Sequence, residues 1–169
     1  MAARSWAILV LALCAPGPLF AFAQENLQFR PPPDWELGHT QQTKDLMVME
    51  FVRKGEAVES WTELLTLHQF LRGKNSQTFR ESYEGLKAIW EQRCPGLTEW
   101  RILDETEGLF VYEWKTTGAC VGHQPQTELV RLIFGRKTGY RVGYNTRREL
   151  TAEMRATWRE WLNAISLGR

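Results

Sequence analysis

Two thiols and one imidazole form the tightest candidate for chemistry in this 169-residue chain: Cys94, Cys120 and His123. The Cys120-x-x-His123 spacing suits two ligands of one metal ion, but a structural zinc site takes four and no convincing fourth is visible. An even pair of cysteines in an exported chain most simply forms a disulfide, here Cys94 with Cys120. The other histidines, His39 and His68, stand apart. Ser60, Thr62 and Glu63 precede His68 without forming a nucleophile motif, and no Gly-x-Ser-x-Gly, His-Glu-x-x-His or phosphate-cradling glycine loop occurs. Asp104, Glu105 and Glu107 cluster around a turn, where a solvated loop is the simpler reading than a carboxylate pair or a calcium site. The sequence thus predicts no enzyme, no metal and no cofactor.

One basic stretch rises above the background. Arg131, Arg136, Lys137, Arg141, Arg147 and Arg148 follow one another with no acid between Leu129 and Arg148. Strand alternation sets Arg131 against Val130 and Leu132, and Arg141 against Tyr140 and Val142, so the two are expected on the outer face of one hairpin. Such a face, with Trp35 from the N-terminal segment, would meet an envelope protein or an anionic envelope component. The competing reading is a solvated face balanced by Glu128, Glu149 and Glu153.

These residues need elements to hold them. Hydrophobic residues at 43% and aromatics at 12%, including eight Trp and eight Phe, are ample for one packed core. Residues 1–23 read as a signal peptide: Arg4 opens it, an apolar run follows, and Ala21-Phe22-Ala23 fits the cleavage pattern. Cys14 lies inside it, and Leu13 before that cysteine argues against a lipid anchor. The run is too short for a membrane span, so none remains after cleavage. Export to the periplasm or the medium is expected. The leader carries one base and no acid, so the mature chain is formally neutral and shows no global attraction to nucleic acid.

Residues 24–45 are polar, with Pro31-Pro32-Pro33, and read as an arm in which Trp35 docks as a latch. Residues 46–169 read as one domain. Residues 46–52 and 61–70 are expected strands, the second apolar on both faces. Asn75 or Ser76 can cap a helix reaching Arg93, and Thr78 with Glu81 has capping-box spacing. Phe79, Tyr83, Leu86 and Trp90 form its stripe, and Gly85 inside it suggests a close approach to the sheet. Four strands follow, carried by Trp100 and Ile102, by Phe110, Tyr112 and Trp114, by Val130, Leu132 and Phe134, and by Tyr140, Val142 and Tyr144. Thr146 and Glu149 have the spacing to open a last helix striped by Leu150, Met154, Trp158, Trp161 and Ile165. The class is α+β: an antiparallel sheet, β-β-α-β-β-β-β-α, with two helices packed on it.

Phe51-Val52-Arg53-Lys54-Gly55-Glu56 followed by Trp61-Thr62-Glu63-Leu64-Leu65-Thr66 resembles small exported proteins of Gram-negative bacteria, and the element order is similar to the PsbP/Mog1-like fold. That resemblance implies a binding or assembly role and brings no catalytic residues with it. The reading is a non-enzymatic interaction module of the cell envelope. The alternative is a carrier of an apolar small molecule, in a cavity lined by Phe110, Tyr112, Trp114, Trp158 and Trp161.

Overall fold

Bulky side chains alternate along several of the long strands, and backbone pairing assembles the strands into a sheet packed on both faces. The computed structural model describes residues 25–73 and 77–168. The leader at 1–23 and the cap candidates Asn75 and Ser76 lie outside the described residues. In chain order the elements are β1 (Leu27–Gln28), β2 (Trp35–Gln42), β3 (Leu46–Arg53), β4 (Glu63–Leu71), α1 (Phe79–Arg93), β5 (Thr98–Thr106), β6 (Leu109–Thr116), β7 (Gln126–Phe134), β8 (Thr138–Thr146), α2 (Ala152–Ala164) and β9 (Ser166–Leu167). The main sheet is antiparallel throughout, in the order β2-β3-β4-β8-β7-β6-β5. The α+β architecture is the one expected, with β8 slotted between β4 and β7.

The N-terminal segment is not an arm. β2 is an edge strand of the main sheet, paired with β3 from Trp35 opposite Arg53 to Gln42 opposite Met47. Every β2 residue after Trp35 is exposed, so backbone pairing and one buried indole hold the strand without an apolar pattern. Farther upstream, β1 pairs with β9 at the end of the chain. The Glu25 carboxylate accepts the backbone N–H of Arg136 at 2.7 Å, next to those of Lys137 and Thr138, and the Tyr140 hydroxyl donates to the Glu25 carbonyl. Gly168 closes the same corner, its N–H reaching Asn26 O at 2.6 Å.

Each helix takes one face. α2 lies over Leu65, Leu67, Leu129, Tyr144 and Trp35, with Trp158 stacked on Tyr144 at 4.0 Å. α1 lies over Phe110, Tyr112, Trp114, Val130 and Leu132, which pack on Tyr83, Phe79 and Trp90. Thr78 and Glu81 cap α1 reciprocally, as their spacing predicts. α2 begins later than expected: Thr151 is its cap, whereas Thr146 ends β8 and accepts from Arg148 N. The ladder to β4 and β7 carries β8 through Thr146, leaving the turn to a later threonine.

Gly85 does not face a close neighbour. A Cβ there would meet nothing within 4 Å, and the residue is exposed. Gly85→Ala should therefore stabilise the protein by about 1 kcal/mol through helix propensity alone, seen as a higher urea midpoint at unchanged slope. A lower midpoint would show a contact at this position.

Candidate functional site

The two helices do not cover the sheet equally. α1 packs over β5, β6 and β7, whereas the same face of β3, β4 and β8 carries Glu50, Thr66, His68, Arg141 and Asn145. A cleft of about 390 Å³ opens above these residues. Trp90 of α1 and the loop carrying His123 and Gln124 wall one side; Val58 and Trp61, before β4, wall the other.

A buried carboxylate organises the floor. Glu128 accepts from the Trp114 indole and from Arg141 Nη2, and lies 3.4 Å from the Thr66 hydroxyl. Arg141 Nε completes the network on the Tyr112 hydroxyl at 3.2 Å. Burial alone would lower the Arg141 pKa, but the Glu128 carboxylate and Tyr112 outweigh it and hold the guanidinium above its usual value. Burial pushes the Tyr112 phenol up to about 12. Gly143 makes room for this arrangement: a Cβ there would stand 2.2 Å from Glu128 Oε1 and 2.7 Å from Thr66 Oγ1. A side chain at that position would push the carboxylate off its partners.

His68 pairs across the ladder with Arg141. Desolvation, reinforced by that guanidinium, lowers its pKa to about 4, so it lines the cleft as a neutral imidazole. Asn145 donates to Leu64 O at 3.2 Å, leaving its carbonyl oxygen as a spare acceptor. The Arg147 guanidinium lies 4.1 Å over the Trp61 ring at the rim.

The Cys94–Cys120 disulfide forms, with Cα atoms 5.9 Å apart across a separation of 26 residues. It ties the C-cap of α1 to the loop between β6 and β7. Cys120 and His123 exchange backbone hydrogen bonds at 3.0 and 2.8 Å, so their spacing makes a tight turn, and the disulfide has already engaged both sulfurs. Val121 and Gly122 take left-handed backbone in that turn. A β-branched residue does so at a cost of about 1–3 kcal/mol. The disulfide before it and the near-perpendicular packing of His123 and Trp90 after it, at 5.2 Å, hold the turn in place.

The expected basic face does not exist. The register sets Arg131 opposite Val142 and Arg141 opposite Leu132, so the two arginines point to opposite faces. Arg131 is buried under α2 and donates to Leu162 O at 2.6 Å; Arg141 lies in the cleft floor. Arg136 and Lys137 remain exposed on the β7–β8 turn, with Arg136 3.7 Å from Glu25. Trp35 is 5% exposed, packed edge-on against Trp158, and is a latch but not a contact surface. Nor do the five aromatics share one cavity: Phe110, Tyr112 and Trp114 face α1, while Trp158 and Trp161 belong to the opposite layer. Glu128, Asn145, Glu50 and Trp90 enter the site unannounced. Glu128 had a legible signal, since alternation along β7 sets an acid on the face of Val130 and Leu132.

No family model matches the chain, and comparison with curated proteins finds no match. Among solved structures, the solution structure of cyanobacterial PsbP (CyanoP) from Synechocystis sp. PCC 6803 is similar, with a TM-score of 0.54. The fold is PsbP-like. The likeness covers 92% of this chain and 99% of that one at 11% identity, and at that distance it carries the architecture alone. Among the described residues no helix is long and apolar enough to cross a membrane.

Two outcomes follow from the floor network. Glu128→Ala should cost about 3–5 kcal/mol in chemical unfolding because it strands the Arg141 charge, whereas Glu128→Leu combined with Arg141→Met should cost much less. A double variant as weak as the single one would contradict the ion-pair account. His68 has a folded pKa of about 4 against 6.5 unfolded, so its stabilisation is complete above pH 6.5. It is lost as pH falls toward 4, on the order of 3 kcal/mol in all. His68→Phe should flatten the stability profile across that window, and an unaltered profile would show that His68 titrates normally.

Proposed function

We propose that this protein is an exported, non-catalytic binding module of the cell envelope, periplasmic or secreted, whose ligand enters the cleft above β4 and β8. One observation carries the reading: a sheet face left half-covered by α1, with a satisfied charged floor and aromatic walls. A pocket of this size with a few convergent polar groups is the usual form of a small-ligand site. Export draws on the leader pattern and on the disulfide, which persists in oxidising compartments, and fits the resemblance to small exported Gram-negative proteins.

Binding fits the groups present better than turnover does. The Thr66 hydroxyl points to Glu128, and Glu128 is committed to Trp114 and Arg141. His68, neutral beside a guanidinium, has no nucleophile to activate within this set. The site thus holds fixed hydrogen-bonding groups without an acid–base pair. The partner, an envelope protein or envelope component, is met at this cleft and not at the β7–β8 hairpin.

The test uses tryptophan fluorescence, because Trp61, Trp90 and Trp114 line the cleft. Titration with a fractionated envelope extract should give a saturable change that is lost in His68→Trp, which fills the floor. An equal, saturable response in the filled variant would remove the cleft from consideration.

A further inference from the structure

The charges around the cleft cancel. In the floor Glu128 and Arg141 neutralise each other, and toward the margins Glu50 and Arg147 carry opposite signs. An anionic ligand finds no unpaired cation in the floor, since the Arg141 guanidinium is bound to Glu128 and Tyr112. A purely apolar ligand would cover the His68 imidazole and the Asn145 carbonyl oxygen without giving either a hydrogen-bond partner. Apart from Glu50 and Arg147 at the margins, what remains uncommitted is neutral hydrogen-bonding capacity. Among the described residues the side chains of His68, Gln124 and Gln126 have no intramolecular hydrogen-bond partner, and Asn145 keeps a free carbonyl oxygen. Beside them Trp90, half-buried, ends a tier of indoles in which it packs on Trp114 at 4.8 Å and Trp114 stacks on Trp100 at 5.0 Å.

An uncharged ligand dense in hydroxyls, with one apolar carbon–hydrogen face, satisfies all of these groups together. We propose that the cleft binds a neutral saccharide, with a pyranose face against Trp90 and hydroxyls on His68, Gln124, Gln126 and Asn145. This rests on the cleft reading above and narrows it to a ligand class. The negative face of an indole attracts the weakly positive carbon–hydrogen edge of such a ring. Neutral amides and imidazole donate and accept without the desolvation cost that charged groups would add. A volume of about 390 Å³ accommodates one or two sugar rings at the sheet, and the open mouth lets a longer chain continue outward.

Maltotetraose, cellotetraose and the tetramer of N-acetylglucosamine are each titrated into the intact disulfide-bonded protein, followed by two-dimensional NMR. At least one should shift the Trp90 indole N–H and the Gln124 and Gln126 side-chain amides saturably. Gln124→Ala and Gln126→Ala should each weaken that binding about five- to tenfold, the worth of one hydrogen bond, at unchanged melting temperature. If none of the three shifts these signals while the envelope extract does, the saccharide class is wrong and the cleft reading stands. If neither saccharides nor extract shift them, both readings fall.

Discussion

The contact between Glu128 and Arg141 is the constraint on which the rest of this molecule turns. Both residues sit on central strands, where the sheet is covered on one face by α2 and only partly on the other by α1. A lone charge at either position would carry a large desolvation penalty. Together, and with Trp114, Thr66 and Tyr112 taking up the remaining lone pairs and protons, they form a closed polar unit. Gly143 is its steric condition, because the carboxylate crosses β8 where that residue lacks a side chain. A similar unit stands on the opposite face, where Glu63 accepts from the Tyr144 hydroxyl and from Arg53 Nε at 2.8 Å.

The cleft is a consequence of where α1 runs. Its stripe of Phe79, Tyr83, Leu86 and Trp90 matches the aromatic side chains of β5 and β6, which fixes it over that end of the sheet. Among the described residues no second helix lies on the same side, and β3, β4 and β8 present polar residues to the opening. The disulfide extends the wall by fastening the β6–β7 loop to the end of α1, and thereby places His123 and Gln124 beside Trp90.

Much of this architecture was legible in the sequence. Apolar runs located β3 and β4, alternation located β5 to β8, helical spacing located both stripes, and the cysteine pair foretold its own bond. β2 escaped because an edge strand held by backbone pairing needs no apolar repeat. The basic hairpin failed for a different reason. Period-two patterning says which residues share a face within one strand, but not which residue lies opposite on the next. Around Arg131 and Arg141 both faces are buried, so the neighbouring valines and leucines could not mark an inside. A register one residue away would have joined the two arginines; the observed one separates them across the sheet. The cleft itself is a property of coverage, of a helix that stops short, and no local pattern encodes it.

The corner where Gly168 meets Asn26 makes the backbone path almost a ring. Beginning and end of the described chain lie side by side, next to the β7–β8 turn that the Glu25 carboxylate holds. A short linker could weld them, and an opening made at the exposed Glu107-Gly108 bend would then yield the same ladders read in a rotated order. For this sheet, identity resides in who sits beside whom, and the point at which the thread is cut is a matter of convenience.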